Sequence, residues 1–261
     1  MTYETLSIEV DARGVATLWL DRADKHNAMS GRMIEELPEA IGALGADDAV
    51  RVVILAAKGK SFCAGGDLRW MQDQMAADAA TRRVEARKLA MALFALNTCP
   101  KPVIARVQGN AFGGGIGMIS VADVAVGVEG AKFGLTEVRL GLIPATISPY
   151  VLARMGETHA RKVFMSARLF GAAEAEKLNL LARVVSEDDL DVAVEAEVMP
   201  YLSAAPGAVA ESKRLARSLG APITEEIIEA TIDRLVETWE GAEAREGIAA
   251  FFDKRKAPWM A

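Results

Sequence analysis

Apolar and polar positions along this chain follow two periods in turn. Leu6 to Val10 and Val15 to Leu20 run apolar or alternate around the polar turn Asp11-Ala12-Arg13-Gly14, the pattern of a hairpin. After Ser30, a candidate N-cap, Ile34, Leu37, Ile41 and Leu44 recur at helical spacing and predict a helix over 33–44. The run from Val50 to Ala57 predicts a buried strand, and 79–98 a long amphipathic helix ended by Pro100 and Pro102. Two further apolar runs, 102–107 and 123–128, predict strands, and from about 157 the pattern is mainly helical. Strands alternating with helices, followed by helices alone, predict an α/β chain. No internal repeat and no Pro-, Ser- or Gly-rich linker stands out, so one domain with a helical C-terminal extension is the simplest organisation.

Composition narrows the functional classes. With 261 residues, 51% of them apolar, the chain supplies a full core, which excludes disordered and fibrous classes. Thirty Lys and Arg stand against 36 Asp and Glu, a net charge of −6 without a basic stripe, so no nucleic-acid partner is expected. Only Cys63 and Cys99 are present, the opening Met-Thr-Tyr-Glu lacks a signal-peptide pattern, and no run reaches the roughly 18 apolar residues of a spanning helix. A cytoplasmic protein without a membrane partner is the expectation.

Several motifs fail. Gly59-Lys60-Ser61 would end a phosphate loop, but position 54 is Ile; a dinucleotide fingerprint opening at Gly113 fails at Met118. His26 and His159 read as surface residues, and the cysteines lack zinc spacing, so neither a Ser-His-Asp triad nor a metal site is expected. Two glycine-rich turns remain: Ser61-Phe62-Cys63-Ala64-Gly65-Gly66-Asp67-Leu68 after the strand at 50–57, and Gly109-Asn110-Ala111-Phe112-Gly113-Gly114-Gly115-Ile116-Gly117 after the strand at 102–107. Glycines between strand and helix let backbone approach a ligand and leave N–H groups free at a positive helix end. Facing each other, two such turns would aim two amide donors at one oxygen, an oxyanion site; tight turns without a ligand are the plain alternative. A third segment, Ala131 to Pro144, carries Glu137 among apolar residues. It reads either as an ion-pair partner or as a general acid/base whose pKa an apolar pocket raises.

In this order and spacing the three segments resemble the enoyl-CoA hydratase/isomerase (crotonase) superfamily over nearly the whole chain. Asp21-Arg22-Ala23-Asp24-Lys25-His26-Asn27-Ala28 is similar to its Arg-x-x-x-x-Asn-Ala turn, FCAGGDL and GNAFGGG to its two oxyanion loops, and Phe251-Phe252-Asp253-Lys254-Arg255-Lys256 to its C-terminal element. The resemblance implies a spiral of ββα turns over 1–200, and a helical region over 201–261 that builds homotrimers or dimers of trimers. It implies an acyl-CoA thioester as partner, with coenzyme A belonging to the substrate and no metal or redox cofactor. Its oxyanion amides map to Gly66 and Gly114, and its acid/base to Glu137. The substrate-binding set maps to Lys25, Ala28, Ala64, Gly65, Asp67, Leu68, Trp70 and Gly113. Ala64 would lie against the adenine, and Phe251 and Lys254 of a neighbouring subunit would meet the nucleotide end. Met71 and Met75 follow Trp70 at helical spacing and line either the acyl pocket or the core.

The departures bear on the reaction. Hydratases of the family carry two glutamates, and the position of the first is Gly117 here. The run Leu135 to Tyr150, with the bulky Ala145-Thr146-Ile147-Ser148 after Pro144, is similar to a bacterial subgroup associated with 3-methylglutaconyl-CoA and isohexenylglutaconyl-CoA hydration. Asp67-Leu68-Arg69-Trp70-Met71 points the same way. Ser148, through a water, or a distal carboxylate of the substrate would then stand in for the missing glutamate. Three readings follow: a one-glutamate hydratase, a double-bond isomerase using Glu137 as shuttling base, and a non-catalytic CoA- or RNA-binding relative.

Overall fold

A computed structural model describes residues 2–260. Among them ten strands form: β1 Leu6–Val10, β2 Val15–Leu20, β3 Val52–Ala57, β4 Ser61–Cys63, β5 Val103–Val107, β6 Asn110–Phe112, β7 Val124–Val128, β8 Lys132–Gly134, β9 Phe170–Gly171 and β10 Arg183–Val185. The larger sheet has the order β1-β2-β3-β5-β7-β10 and the smaller β4-β6-β8-β9. β1 and β2 form the antiparallel hairpin; the rest of the large sheet is parallel. In the small sheet β4, β6 and β8 run parallel and β9 closes it antiparallel.

The chain therefore repeats one unit. β3 and β4 precede the helices Leu68–Ala76 and Ala79–Thr98; β5 and β6 precede Gly114–Val121; β7 and β8 precede the 3₁₀ turn Glu137–Leu140 and the helix Ser148–Met155. Each unit gives one strand to each sheet, the ββα spiral that the resemblance implies. Periodicity does not reveal the repeat, because the small-sheet strands SFC, NAF and KFG are three residues each, too short to show alternation. The glycine turns thus follow these short strands rather than the long strands at 50–57 and 102–107.

The predicted helix at 33–44 extends over Gly31–Ala46, with the Ser30 Oγ accepting from the Met33 amide at 3.2 Å. Its buried face includes Ile34, Leu37, Ile41 and Leu44, each stabilising by about 1.5–3 kcal/mol. The main core runs through to Val198. The C-terminal helices make smaller cores of their own. Ile228 and Ile232 of Glu225–Glu240 pack on Ala86 and Ala90. Trp239, Ala244 and Ile248 gather around Leu142. No helix among the described residues is long and apolar enough to cross a membrane.

Candidate active site

The small sheet brings the candidate residues together. β4 ends at Cys63 and runs into Ala64-Gly65-Gly66, β6 ends at Phe112 and runs into Gly113-Gly114, and β8 ends at Gly134, three residues before Glu137. Cys63 pairs with Ala111, and Phe112 with Gly134, so the three exits lie side by side at the strand spacing of about 4.8 Å. A cleft of about 680 Å³ opens over them, lined by Gly66, Gly114 and Glu137 together.

Each amide is free for a structural reason. Gly66 bridges Met29 in parallel: the Met29 amide donates to the Gly65 carbonyl at 2.8 Å, and the Asp67 amide to the Met29 carbonyl at 3.0 Å. Gly66 itself is passed over by both bonds, and its N–H faces away from Met29. Gly114 opens the helix Gly114–Val121, where the first amides have no partner in the helix. Gly113, at φ +48° and ψ −115°, makes the turn in a conformation that only glycine adopts readily.

The first loop is clamped from outside the cleft. The Arg22 Nη1 donates to the Ala28 carbonyl at 2.7 Å and to Asp67 at 3.0 Å. The Asn27 side chain donates to the Lys58 and Ser61 carbonyls and accepts from the Arg22 amide. Asp67 also caps Leu68–Ala76, accepting from the amides of Arg69 and Trp70. Burial alone would raise the Asp67 carboxyl, but Arg22 and these two amides outweigh it and hold the pKa below the usual range. Asp67→Ala is expected to lower stability by about 2 kcal/mol, roughly half from the cap and half from the half-buried guanidinium left without its carboxylate. Urea unfolding at pH 7 measures it, and an unchanged midpoint would contradict this account.

Glu137 opens the 3₁₀ turn Glu137–Leu140. Its Oε2 is buried and has no hydrogen-bond partner among the described residues. A Cβ placed on Gly113 would stand 3.1 Å from Glu137 Oε1 and 3.8 Å from the Gly65 Cα, so the second loop is held between the carboxylate and the first loop. Burial raises the carboxyl pKa from 4.5 to about 7, opposed only by the residue's own amide. A group poised there accepts and returns a proton at neutral pH.

The place of the missing first glutamate is filled. A Cβ on Gly117 would come 2.6 Å from Ile147 Cγ2 and 3.5 Å from Leu93 Cδ1, and Ile147 lines the cleft. Ser148 does not replace the missing group. Its hydroxyl donates to the Ala145 carbonyl at 2.7 Å and lies off the cleft. At Gly117 the bulky run after Pro144 therefore presents the hydrocarbon of Ile147, with Thr146 also lining the cleft.

A family model described as enoyl-CoA hydratase/isomerase matches residues 11–261. The chain belongs to this family of enzymes. The probable enoyl-CoA hydratase of Rhizobium meliloti is 34% identical over 260 residues, covering 98% of each chain. The crotonyl-CoA hydratase of Syntrophomonas wolfei is 30% identical over 270 residues, covering 100% of this chain and 99% of its own. A crystal structure of an enoyl-CoA hydratase from Shewanella pealeana superposes with a TM-score of 0.81 at 38% identity, covering 99% of this chain and 97% of that one.

Against the hydratase/isomerase family pattern, the remaining sequence-derived residues divide. Ala64, Gly65, Leu68, Trp70, Gly113, Phe251 and Lys254 line the cleft. Phe251 and Lys254 do so from the same chain, where the resemblance led to a neighbouring subunit, because the helix Ala242–Phe252 folds back over its own site. Lys25, Ala28 and Asp67 lie off the cleft: Lys25 is exposed beside Asp24, and Ala28 and Asp67 are engaged by Arg22. Met71 lines the cleft, whereas Met75 turns outward at 37% exposure. Leu235 and Trp239 line it without having been singled out from the sequence, and Arg139, the ion-pair partner that the plain reading offered Glu137, lines it without pairing with that carboxylate. The spacing of Ile228, Ile232, Leu235 and Trp239 marks an apolar helix face, but nothing local shows which groove that face covers.

Proposed function

We propose that this chain adds water across the double bond of a 2-enoyl-CoA thioester. The observation that carries the reading is the buried Glu137 carboxylate, whose Oε2 has no partner among the described residues, beside two glycine loops whose Gly66 and Gly114 amides bond to none of them. Glu137 takes a proton from water while the hydroxyl bonds to Cβ, and the double-bond electrons move onto the thioester oxygen. The two amides hold that enolate, each worth about 2.7–4 kcal/mol at comparable sites. The enolate then collapses, Cα takes the proton back from Glu137, and the carboxylate is restored. One glutamate suffices because it serves as base and then as acid.

For the acyl group we propose a branched dicarboxylic enoyl chain of the 3-methylglutaconyl type. The run Leu135 to Tyr150 supports this, as does Arg139, which lines the cleft two residues beyond Glu137 and makes no ion pair among the described residues. One observation favours a second reading. Ile147 leaves no polar group in the place of the first glutamate, and moving a double bond with Glu137 alone needs no such group. Enoyl-thioester absorbance decides, with crotonyl-CoA, 3-methylglutaconyl-CoA and a 3-enoyl-CoA as substrates for the wild type and Glu137→Ala. Loss of absorbance on a 2-enoyl substrate, absent in the variant, is the expected result, with 3-methylglutaconyl-CoA turned over fastest. Conversion of the 3-enoyl compound alone would make the chain an isomerase, and silence on all three would leave a CoA-binding relative.

A further inference from the structure

The segment that carries Glu137 is held from two sides. Leu135 anchors its start in the main core. Its other end meets the last helix, Ala242–Phe252, backbone against backbone. A Cβ on Gly247 would stand 2.5 Å from the carbonyl carbon and oxygen of Leu140. Gly141, in the left-handed region at φ +69°, fits against the backbone of Glu243, where a Cβ would lie 2.7 Å from the Ala244 nitrogen. Around these contacts Leu142, Trp239, Ala244 and Ile248 form an apolar cluster separate from the main core, with Leu140 packed against it. Past the helix, the Trp259 indole donates to the Arg139 carbonyl at 3.3 Å. The same stretch of chain delivers Phe251, Lys254, Arg255 and Met260 to the cleft.

We propose that the last helix sets the Glu137 carboxylate in place, with Gly247 as the positioning residue and Trp259 as its second tie. The proposal rests on the reading of Glu137 as the acid/base. Close approach is the physical reason: any side chain at 247 must push the helix away from Leu140 or drag the 3₁₀ turn with it. A small satellite cluster opens more readily than the main core, so the turn keeps its geometry only while the helix is docked. Because the end of that helix and the residues just beyond it also line the cleft, a thioester contacting Phe251 or Lys254 favours the docked state in which Glu137 is aligned.

Gly247→Ala and Trp259→Phe, each in the full chain, test this. Amide exchange across residues 137–142 is expected to quicken at least tenfold in Gly247→Ala and severalfold in Trp259→Phe, whatever thioester the enzyme accepts. On a substrate the wild type turns over, kcat is expected to fall ten- to a hundredfold in Gly247→Ala. The acid limb of its pH profile should move toward the ordinary carboxylate range as water reaches Glu137. The charged groups sharing the cleft are Arg139 on the same turn and Lys254 and Arg255 beyond the last helix, and both substitutions keep all three. Should Gly247→Ala fail to fold, Trp259→Phe decides alone, since it removes one hydrogen bond at a residue 43% exposed. Unchanged exchange at 137–142, or a lower melting temperature with kcat and pH profile intact, overturns the proposal. Wild type silent on every thioester, with exchange responding as stated, would count against the hydratase reading and leave the helix in its role.

Discussion

Glu137→Gln is expected to remove turnover while making the protein more stable at pH 8. The amide keeps the shape of the carboxyl group but carries no proton between water and Cα, so kcat is expected to fall by about 10²–10⁴, the usual contribution of a positioned acid/base. The stability gain follows from burial. The folded protein holds the Glu137 proton up to about pH 7, whereas the unfolded chain releases it near 4.5. Below pH 4.5 both states are protonated and nothing is lost. Between pH 4.5 and 7 the unfolded chain gives up this proton while the folded state keeps it, so a cost on the order of 3 kcal/mol builds up across that window and is complete above pH 7, since each pKa unit is worth about 1.4. Glutamine avoids that cost, which for a chain of this size corresponds to a melting temperature roughly 5–10 °C higher at pH 8. At pH 4 the two proteins should melt together. Scanning calorimetry at both pH values measures the difference, and a variant less stable at pH 8 would show that the carboxylate has a partner the structure does not give it. In the wild type, kcat/KM should decline below about pH 7, as the free enzyme's base becomes protonated.

Restoring the first glutamate by itself is expected to do harm. Gly117→Glu places its first side-chain carbon 2.6 Å from Ile147 Cγ2 inside a helix whose residues from Gly115 to Val121 are all buried. Overpacking of this kind costs about 1–3 kcal/mol. An unpaired carboxylate taken out of water adds several more. A total near 5 kcal/mol is a large share of what holds a domain folded. Ile147→Gly in the same chain clears the obstructing methyl groups, and the double variant is expected to regain several kcal/mol over Gly117→Glu. A double-mutant cycle by chemical denaturation reads that coupling directly. If Gly117→Glu alone were as stable as wild type, Ile147 would not be what fills the place of the missing glutamate.

What could be read from the chain depended on length of pattern. The helix Ala79–Thr98 was legible to both ends, because Asp78 caps it and Pro100 follows it closely. The strand at 50–57 begins two residues late, at Val52, since the Arg51 amide is taken by the Gly14 carbonyl at 2.7 Å. The two glycine turns and Glu137 were visible as residue types, yet their meeting was not: it rests on three short strands whose pairing is long-range. Asp67 looked like a ligand residue from its place beside Gly65-Gly66, and only the fold reveals Arg22 opposite it. Phe251 and Lys254 were legible as a motif, while the chain whose cleft they line is decided by how the last helix folds back.

Strand spacing has a consequence for how this molecule can change. The two amide donors follow neighbouring rungs of one small sheet, so the spacing of their loops is set by the ladder, whereas the Glu137 turn beyond the third rung also leans on the last helix. The acyl wall has a different origin, in helices and turns such as the segment at 145–148 and the side chains of Trp239 and Leu235. The oxyanion pair and the acyl wall are thus set by different parts of the fold, while Trp239 joins the wall to the cluster behind the Glu137 turn. Exchanges at 145–148 can retune which thioester enters while the rungs keep the two amides together, whereas exchanges at Trp239 also reach the proton carrier through the last helix.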